Sequence, residues 1–348
     1  MSQVAKVRKA RKKLEYHLAR LRGDLLSSEA SGALEILMSV SDRFPAAPPG
    51  PPPLLSEGQV LQLLEQGFLF LPLLGSLQLK IRDLSKLIGQ FFDRSEDRKK
   101  KLYPATRGTE NGYYPVAGEK EYVTFRYRVG ALPELENQVA EVWKAIATLL
   151  HRILCDIARG SEIPLSSWDQ LLQDSLTLPE GAESLETSTT LLRLFRYYPD
   201  GGFADKHNDI GLLTLCVGDG AGLQVLDNST EPPQWKDVEG PTILVGEMLR
   251  VLSHGMIRAG PHRVVANEKG RTSTVFALRP SLKGMIDLTQ FGFEGEVDAK
   301  QLWGAIKGGK VNINATKDTR ERMQTNLDAK KGKEKAGTAE NENEPKQA

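Results

Sequence analysis

The chain has 348 residues, long enough for one large β domain or two modest ones. Its 46 Lys and Arg against 45 Asp and Glu leave a net charge of +1, which excludes a global field drawing it to nucleic acid or to an acidic partner. Two cysteines, Cys155 and Cys216, are too few for a disulfide framework, no apolar run approaches the ~18 residues of a membrane span, and no secretory signal follows the basic N-terminus, so a soluble, cytoplasmic protein is expected.

Residues 1–27 are basic, with Lys6, Arg8, Lys9, Arg11, Lys12, Lys13, Arg20 and Arg22. Val4, Val7, Leu14, Leu18, Leu21 and Leu25 recur at a helical spacing that Arg11 interrupts. A mitochondrial targeting segment, a short coiled-coil arm and an anionic-surface binder all fit this pattern. A plain solvated helical extension fits it best. Pro45, Pro48, Pro49, Pro51, Pro52 and Pro53 then read as an extended linker, because proline fixes φ and cannot donate to a ladder.

The folded part is expected to begin at residue 54. Ser56 with Gln59 makes a capping box and Gly67 a stop, so 57–66 reads as a helix. Phe68-Leu69-Phe70-Leu71 reads as a buried strand closed by Pro72. Leu77, Ile81, Leu84, Leu87, Ile88, Phe91 and Phe92 mark a helix over 77–93. A turn and an extended strand are expected between Asn111 and Arg126. The clearest helix covers 134–159, with Pro133 in its first turn, Gly160 at its stop and a broad apolar face from Val139 to Ile157. His151 beside that face reads as a packing or surface residue, since no second ligand type accompanies it. A short helix around Trp168 to Leu172 and a loop complete this half.

From Thr190 the pattern changes to short strands at 191–198, 212–217, 223–226, 242–245, 249–252, 262–266 and 272–278. Turn signals such as Asp219-Gly220 and Lys269-Gly270 separate them, which argues for a sandwich or barrel. Helices upstream and strands downstream give an α+β fold with a jelly-roll-like core.

Just after the first of these strands, His207 and Asp209 stand two residues apart, so on extended backbone they project to one face. His262 supplies a third candidate ligand. Two imidazoles and one carboxylate cover one face of a metal and leave open positions, as non-haem Fe(II) oxygenases require, although zinc accepts the same donors. Arg271 and Ser273 follow, again two apart. A guanidinium fork beside a hydroxyl suits an incoming carboxylate, and Tyr198 could add a phenol. Metal ligands followed by such a clamp point to a metal-chelating acid as co-substrate.

These residues resemble the Fe(II)/2-oxoglutarate-dependent dioxygenases of the isopenicillin N synthase-like group over about residues 50–285. The resemblance rests on Gly67-Phe68, Gly112-Tyr113-Tyr114-Pro115, Tyr197-Tyr198-Pro199, His207-x-Asp209 and Gly222-Leu223-Gln224-Val225. It continues through Gly246-Glu247-Met248-Leu249, Leu252-Ser253, His262-Arg263-Val264 and Arg271-x-Ser273. It implies a double-stranded β-helix with flanking helices from the N-terminal part, Fe(II) on His207, Asp209 and His262, and the distal carboxylate of 2-oxoglutarate on Arg271 and Ser273, assisted by Tyr198. The activity it implies is hydroxylation or desaturation of a small organic substrate of secondary or hormone-like metabolism. Fe(II), 2-oxoglutarate and O₂ are required, ascorbate serves as reductant, and the keto acid is decarboxylated to succinate. A 2-oxoglutarate-independent iron oxidase of the isopenicillin N synthase type, whose clamp holds a substrate carboxylate, is the alternative. An inactive binding protein on the same fold is a third reading.

Several positions depart from the group. Arg196 stands where many relatives carry an asparagine near the keto-acid end, and Glu247 replaces an aspartate. His254 replaces an asparagine and reads as a loop residue. Ala277 stands where an aromatic is frequent, which suggests a roomier pocket unless Phe276 takes that place. The expected organisation is a basic extension and linker over 1–53, an N-terminal region over 54–185, the β-helix core over 186–290, a helical extension over 291–311 (with a helix around Val297 to Ile306), and a disordered tail over 312–348, where apolar residues are almost absent.

Overall fold

A computed structural model describes residues 50–308 apart from 74, 107, 162 and 239, together with 314 and 320–325. The chain divides after Pro49, and the basic segment with its first prolines lies outside the described residues. Just beyond the linker, Asp156 accepts from the Leu54 and Leu55 N–H groups at 2.9 Å each. Ser56 and Gln59 form the expected capping box on α1 (Glu57–Gln66). Gly67 ends this helix at φ 76°, and a β-carbon there would stand 2.5 Å from the Ala259 carbonyl oxygen, so glycine is required twice over.

After β1 (Phe68–Phe70) come α2 (Gly75–Phe92) and α3 (Glu96–Leu102). The segment expected to hold a single strand is a hairpin of β2 (Gly112–Val116) and β3 (Lys120–Phe125). Next, α4 (Pro133–Ser161) runs through Gly160 rather than stopping there, and α5 (Ser166–Leu172) follows. The strand half contains β4 (Leu191–Tyr197), β5 (Ala204–His207), β6 (Leu213–Gly218), β7 (Leu223–Asp227), β8 (Gln234–Asp237), β9 (Thr242–Val245), β10 (His262–Val264) and β11 (Arg271–Leu278).

These strands build two antiparallel sheets, a larger one in the order β1-β9-β6-β11-β4-β3-β2 and a smaller one in the order β5-β10-β7-β8. The result is the expected double-stranded β-helix with helices on one side. The larger sheet is buried on both faces. Leu192 and Leu194 of β4 point into the core shared with the helices, whereas Phe195 and Tyr197 join the cluster between the sheets. Phe276 of β11 meets Trp143 of α4 edge-on, with centroids 5.0 Å apart. Truncating either ring would cost about 3–5 kcal/mol.

Residues 249–252, expected as a strand, belong instead to a short helix, α6 (Glu247–Leu252). Leu249-Arg250-Val251-Leu252 is too short for its pattern to distinguish the two conformations. Here Gly246 is extended and caps the helix, and Leu249 and Leu252, three apart, turn inward together. The C-terminal helix α7 (Ala299–Gly308) starts after a small ladder of β12 (Met285–Asp287) and β13 (Glu296–Asp298).

Most of the expected disordered tail lies outside the described residues, but its described part departs from that expectation. Residues 320–325 are helical. Arg320 is buried, pairing with Asp205 at 2.8 Å and Glu119 at 3.3 Å, and it lies 4.8 Å from the Phe203 ring. Composition could not reveal this, because one arginine rather than an apolar face anchors the segment. Among the described residues, no helix is long and apolar enough to cross a membrane.

Candidate metal centre and co-substrate pocket

His207 ends β5, and in the antiparallel register of β5 with β10 it stands directly opposite His262. Their rings lie 4.1 Å apart. Asp209 follows where the chain leaves the strand, its Oδ1 3.9 Å from His207 Nε2. One ligand atom from each of the three residues falls within 4.8 Å of the others. Both imidazoles are oriented through their Nδ1 atoms, His207 toward the Asp205 carbonyl at 2.6 Å and His262 toward the Gly260 carbonyl at 3.0 Å. An Nδ1–H donated there leaves each Nε2 lone pair free to bind a cation.

The electrostatics agree with this assignment. Burial, then the neighbouring His262, pulls the His207 imidazole well below its ordinary value. Burial opposes ionisation of Asp209, but His262 and His207 outweigh it and hold the carboxyl below its usual range. A neutral His207 imidazole and an ionised Asp209 carboxylate are donor forms that a divalent cation takes.

Glu247, which in the sequence replaces an aspartate, has a positioning role. Its Oε1 accepts from Asn208 Nδ2 at 2.6 Å, and its backbone N–H donates to the Asp209 carbonyl at 2.8 Å. Asn208 lies between the two candidate ligands, so α6 supports the chain segment that carries them. Only the tertiary contact reveals this.

The same cavity lies between the two sheets and is also lined by Arg271 and Ser273 of β11. The space inside it that a water-sized sphere can reach is ≈ 60 Å³. Arg271 is 6% exposed. Its Nε and Nη1 are buried without a hydrogen-bond partner among the described residues, while Nη2 lies 3.8 Å from Cys216 Sγ. Ser273 Oγ is 3.5 Å from the same sulfur. Gly218 opposes Ser273 on β6, and a β-carbon there would collide with the guanidinium. A buried cation with two idle donors is costly by itself. A carboxylate forked onto Nη2 and one of these idle donors would offset that cost, so the residues fit a keto diacid co-substrate.

Other expectations need correction. Tyr198 does not line the cavity; Tyr197 does. Alternation along β4 turns Arg193, Phe195 and Tyr197 inward, and Tyr197 pairs across with Arg271. Tyr198 lies on the other side, where burial and Glu121 push its phenol up. Arg196 also faces away, donating to Glu121 at 2.7 Å, Asp93 at 2.8 Å and the Phe92 carbonyl at 2.6 Å. It therefore does not take the asparagine's place at the keto acid. Phe276 packs on Trp143 and cannot substitute for Ala277, which leaves Val275 as the apolar side chain of that strand in the cavity. His254 lies just past the end of α6 at φ 54°, stacks on Phe293 at 3.5 Å and approaches the Phe291 carbonyl at 2.9 Å, a structural role. Asn314 reaches the cavity from the C-terminal segment, which sequence reading treated as tail.

The sequence profile of the 2OG-Fe(II) oxygenase superfamily matches residues 189–280. The 2-oxoglutarate-dependent dioxygenase frbH of Dothideomycetidae sp. (strain 11243) is 28% identical over 239 residues, 62% of this chain and 72% of the relative. Residues 189–280 of this chain are a 2OG-Fe(II) oxygenase domain. The oxygenase shares its fold with a 2OG-Fe(II) oxygenase family protein from Caulobacter crescentus, at a TM-score of 0.59 and 20% identity over 71% of this chain and 91% of that one. It also matches a full-length Neurospora crassa protein solved with alpha-KG and 5-formyluracil, at a TM-score of 0.55 and 18% identity over 72% of this chain and 89% of that one. The matched segment of the oxygenase begins just before β4 and ends just after β11. It therefore contains both the His-x-Asp and the Arg-x-Ser pairs.

Proposed function

We propose that this oxygenase holds Fe(II) between His207, Asp209 and His262 and seats the distal carboxylate of 2-oxoglutarate on Arg271 and Ser273, and that it hydroxylates or desaturates a small organic molecule of secondary metabolism. The observation that carries this reading is the pair of buried, idle Arg271 donors opening on the cavity that the three ligand side chains line. Fe(II), O₂ and 2-oxoglutarate supply the oxidising chemistry when bound, the keto acid leaving as succinate and CO₂.

The chain's own residues bind, orient and exclude water. His207 and His262 present Nε2 because their Nδ1 protons are engaged by backbone carbonyls. Asp209 contributes the charge that partly balances a divalent ion. The Arg271 fork fixes a carboxylate by two parallel hydrogen bonds, and the Ser273 hydroxyl adds a third donor. Phe195, Leu223 and Val275 keep the space between clamp and ligands apolar, which strengthens each polar contact made inside it. Both cysteines are buried free thiols, which supports a cytoplasmic setting.

The test is Fe(II) binding under anaerobic conditions together with succinate release in the presence of 2-oxoglutarate and ascorbate. Wild-type protein should show both, and His207→Ala and Asp209→Ala should lose both while remaining folded. Absence of iron binding in the wild type would favour an inactive scaffold. O₂ uptake indifferent to omission of the keto acid would favour the isopenicillin N synthase type.

A further inference from the structure

Arg193 is a second buried arginine in the cavity wall. It lies four residues before Tyr197, the partner of Arg271, so the two arginines enter the cavity wall from backbone positions about 13 Å apart along the strand. The Arg193 guanidinium is held over the Tyr122 ring at 5.2 Å and the Phe195 ring at 5.9 Å. Its Nε donates to Thr124 Oγ1 at 2.8 Å and its Nη2 to Glu110 at 3.1 Å.

The charges around Arg193 do not balance. Glu110 also takes Arg279 at 2.8 Å. Arg126 lies beside both, donating to the backbone carbonyls of Thr109 and Ser188. Burial and the repulsion of Arg279 and Arg193 push Arg126 down to about 10. Arg126, Arg193 and Arg279 are 7%, 8% and 7% exposed, and Nε of Arg126 and of Arg279 is buried without a partner among the described residues. Three guanidiniums thus share one carboxylate. Asp209, whose carboxyl feels Arg279, is committed to the candidate metal site, and the co-substrate carboxylate is committed to Arg271. An excess of buried cation is stabilised by an anion brought from outside.

We infer that the substrate is an organic acid whose carboxylate pairs with Arg193 rather than with Arg271. The inference rests on the reading of this cavity as the oxygenase site.

The test uses the full chain with Mn(II) in place of Fe(II) and saturating 2-oxoglutarate. The probes are small carboxylic acids, each matched with its primary amide, and binding is read by calorimetry and by the shift in Tm. The acids should bind at least about tenfold more tightly than their amides. Arg193→Gln should abolish that preference while the Kd for 2-oxoglutarate stays within about twofold. Arg193→Lys, which keeps the charge for Glu110 but loses the fork, should retain part of it. Acids and amides that behave alike on wild type overturn the inference, and so does an acid preference that survives in Arg193→Gln. Loss of 2-oxoglutarate affinity in that variant also overturns it and assigns the guanidinium to the co-substrate. Failure of the underlying reading is seen separately, as wild-type protein showing no metal-dependent 2-oxoglutarate binding before any acid is added.

Discussion

Arg196 and Arg271 lie one position apart in the pairing of β4 with β11, on opposite faces of one sheet. On the helix side, Arg196 is saturated by Glu121, Asp93 and the Phe92 carbonyl and lies 5.3 Å from the Phe92 ring. Glu121 is itself fully buried and also takes Lys99 and Tyr113, each at 2.6 Å. On the cavity side, Arg271 keeps two donors idle. The same side chain on the same sheet is architecture where its hydrogen bonds are complete and a binding group where they are not.

The largest effect should come from breaking the saturated side. Glu121→Gln leaves the buried Lys99 and the half-buried Arg196 beside a neutral amide, and should cost roughly 3–5 kcal/mol in chemical denaturation. The Kd for 2-oxoglutarate of the protein that remains folded should not change. Arg271→Met tests the idle side. It should weaken 2-oxoglutarate by about a hundredfold, or ~2.7 kcal/mol, and leave the ligand-free protein as stable as wild type or more so, since an underpaired buried cation is removed. If Arg271→Met destabilises as Glu121→Gln does, the distinction between the two faces fails.

Glu110, shared among several arginines, gives the smallest effect and a pH signature. Burial opposes its ionisation, but Arg279 and Arg193 prevail and hold the carboxyl far below its ordinary value of 4.5. A depressed carboxyl contributes stability that is complete above the unfolded value and lost as pH falls through the folded one. Glu110→Gln should therefore cost about 2 kcal/mol at pH 7. The gap from wild type should stay level down to pH 4.5 and narrow below it, as read by urea midpoints across an acid series.

The candidate ligands and the clamp were legible in the sequence because strand alternation puts residues two apart on one face, as in His207-x-Asp209 and Arg271-x-Ser273. The phase of β4 was not. Leu192 and Leu194 face one apolar core and Phe195 and Tyr197 another, so no polar alternation marks which side is inward. Choosing Tyr198 over Tyr197, and placing Arg196 near the keto acid, follow from that single ambiguity. The arginine cluster around Glu110 was equally hidden, since its members are distant in sequence and meet only when β4 and β11 pair. The short helix α6 reads as a strand because Leu249-Arg250-Val251-Leu252 is too short to show a period.

The cross-strand placement of His207 and His262 has a mechanical consequence. β5 is the edge of the smaller sheet, and β10 is its one neighbour within that sheet. An ion bridging the two histidines would act as a removable rivet, closing the long loop between them and clamping the edge against fraying. The chain would then gain rigidity at this edge in proportion to metal loading, with slower amide exchange along β5 when loaded and earlier proteolytic nicking there when stripped.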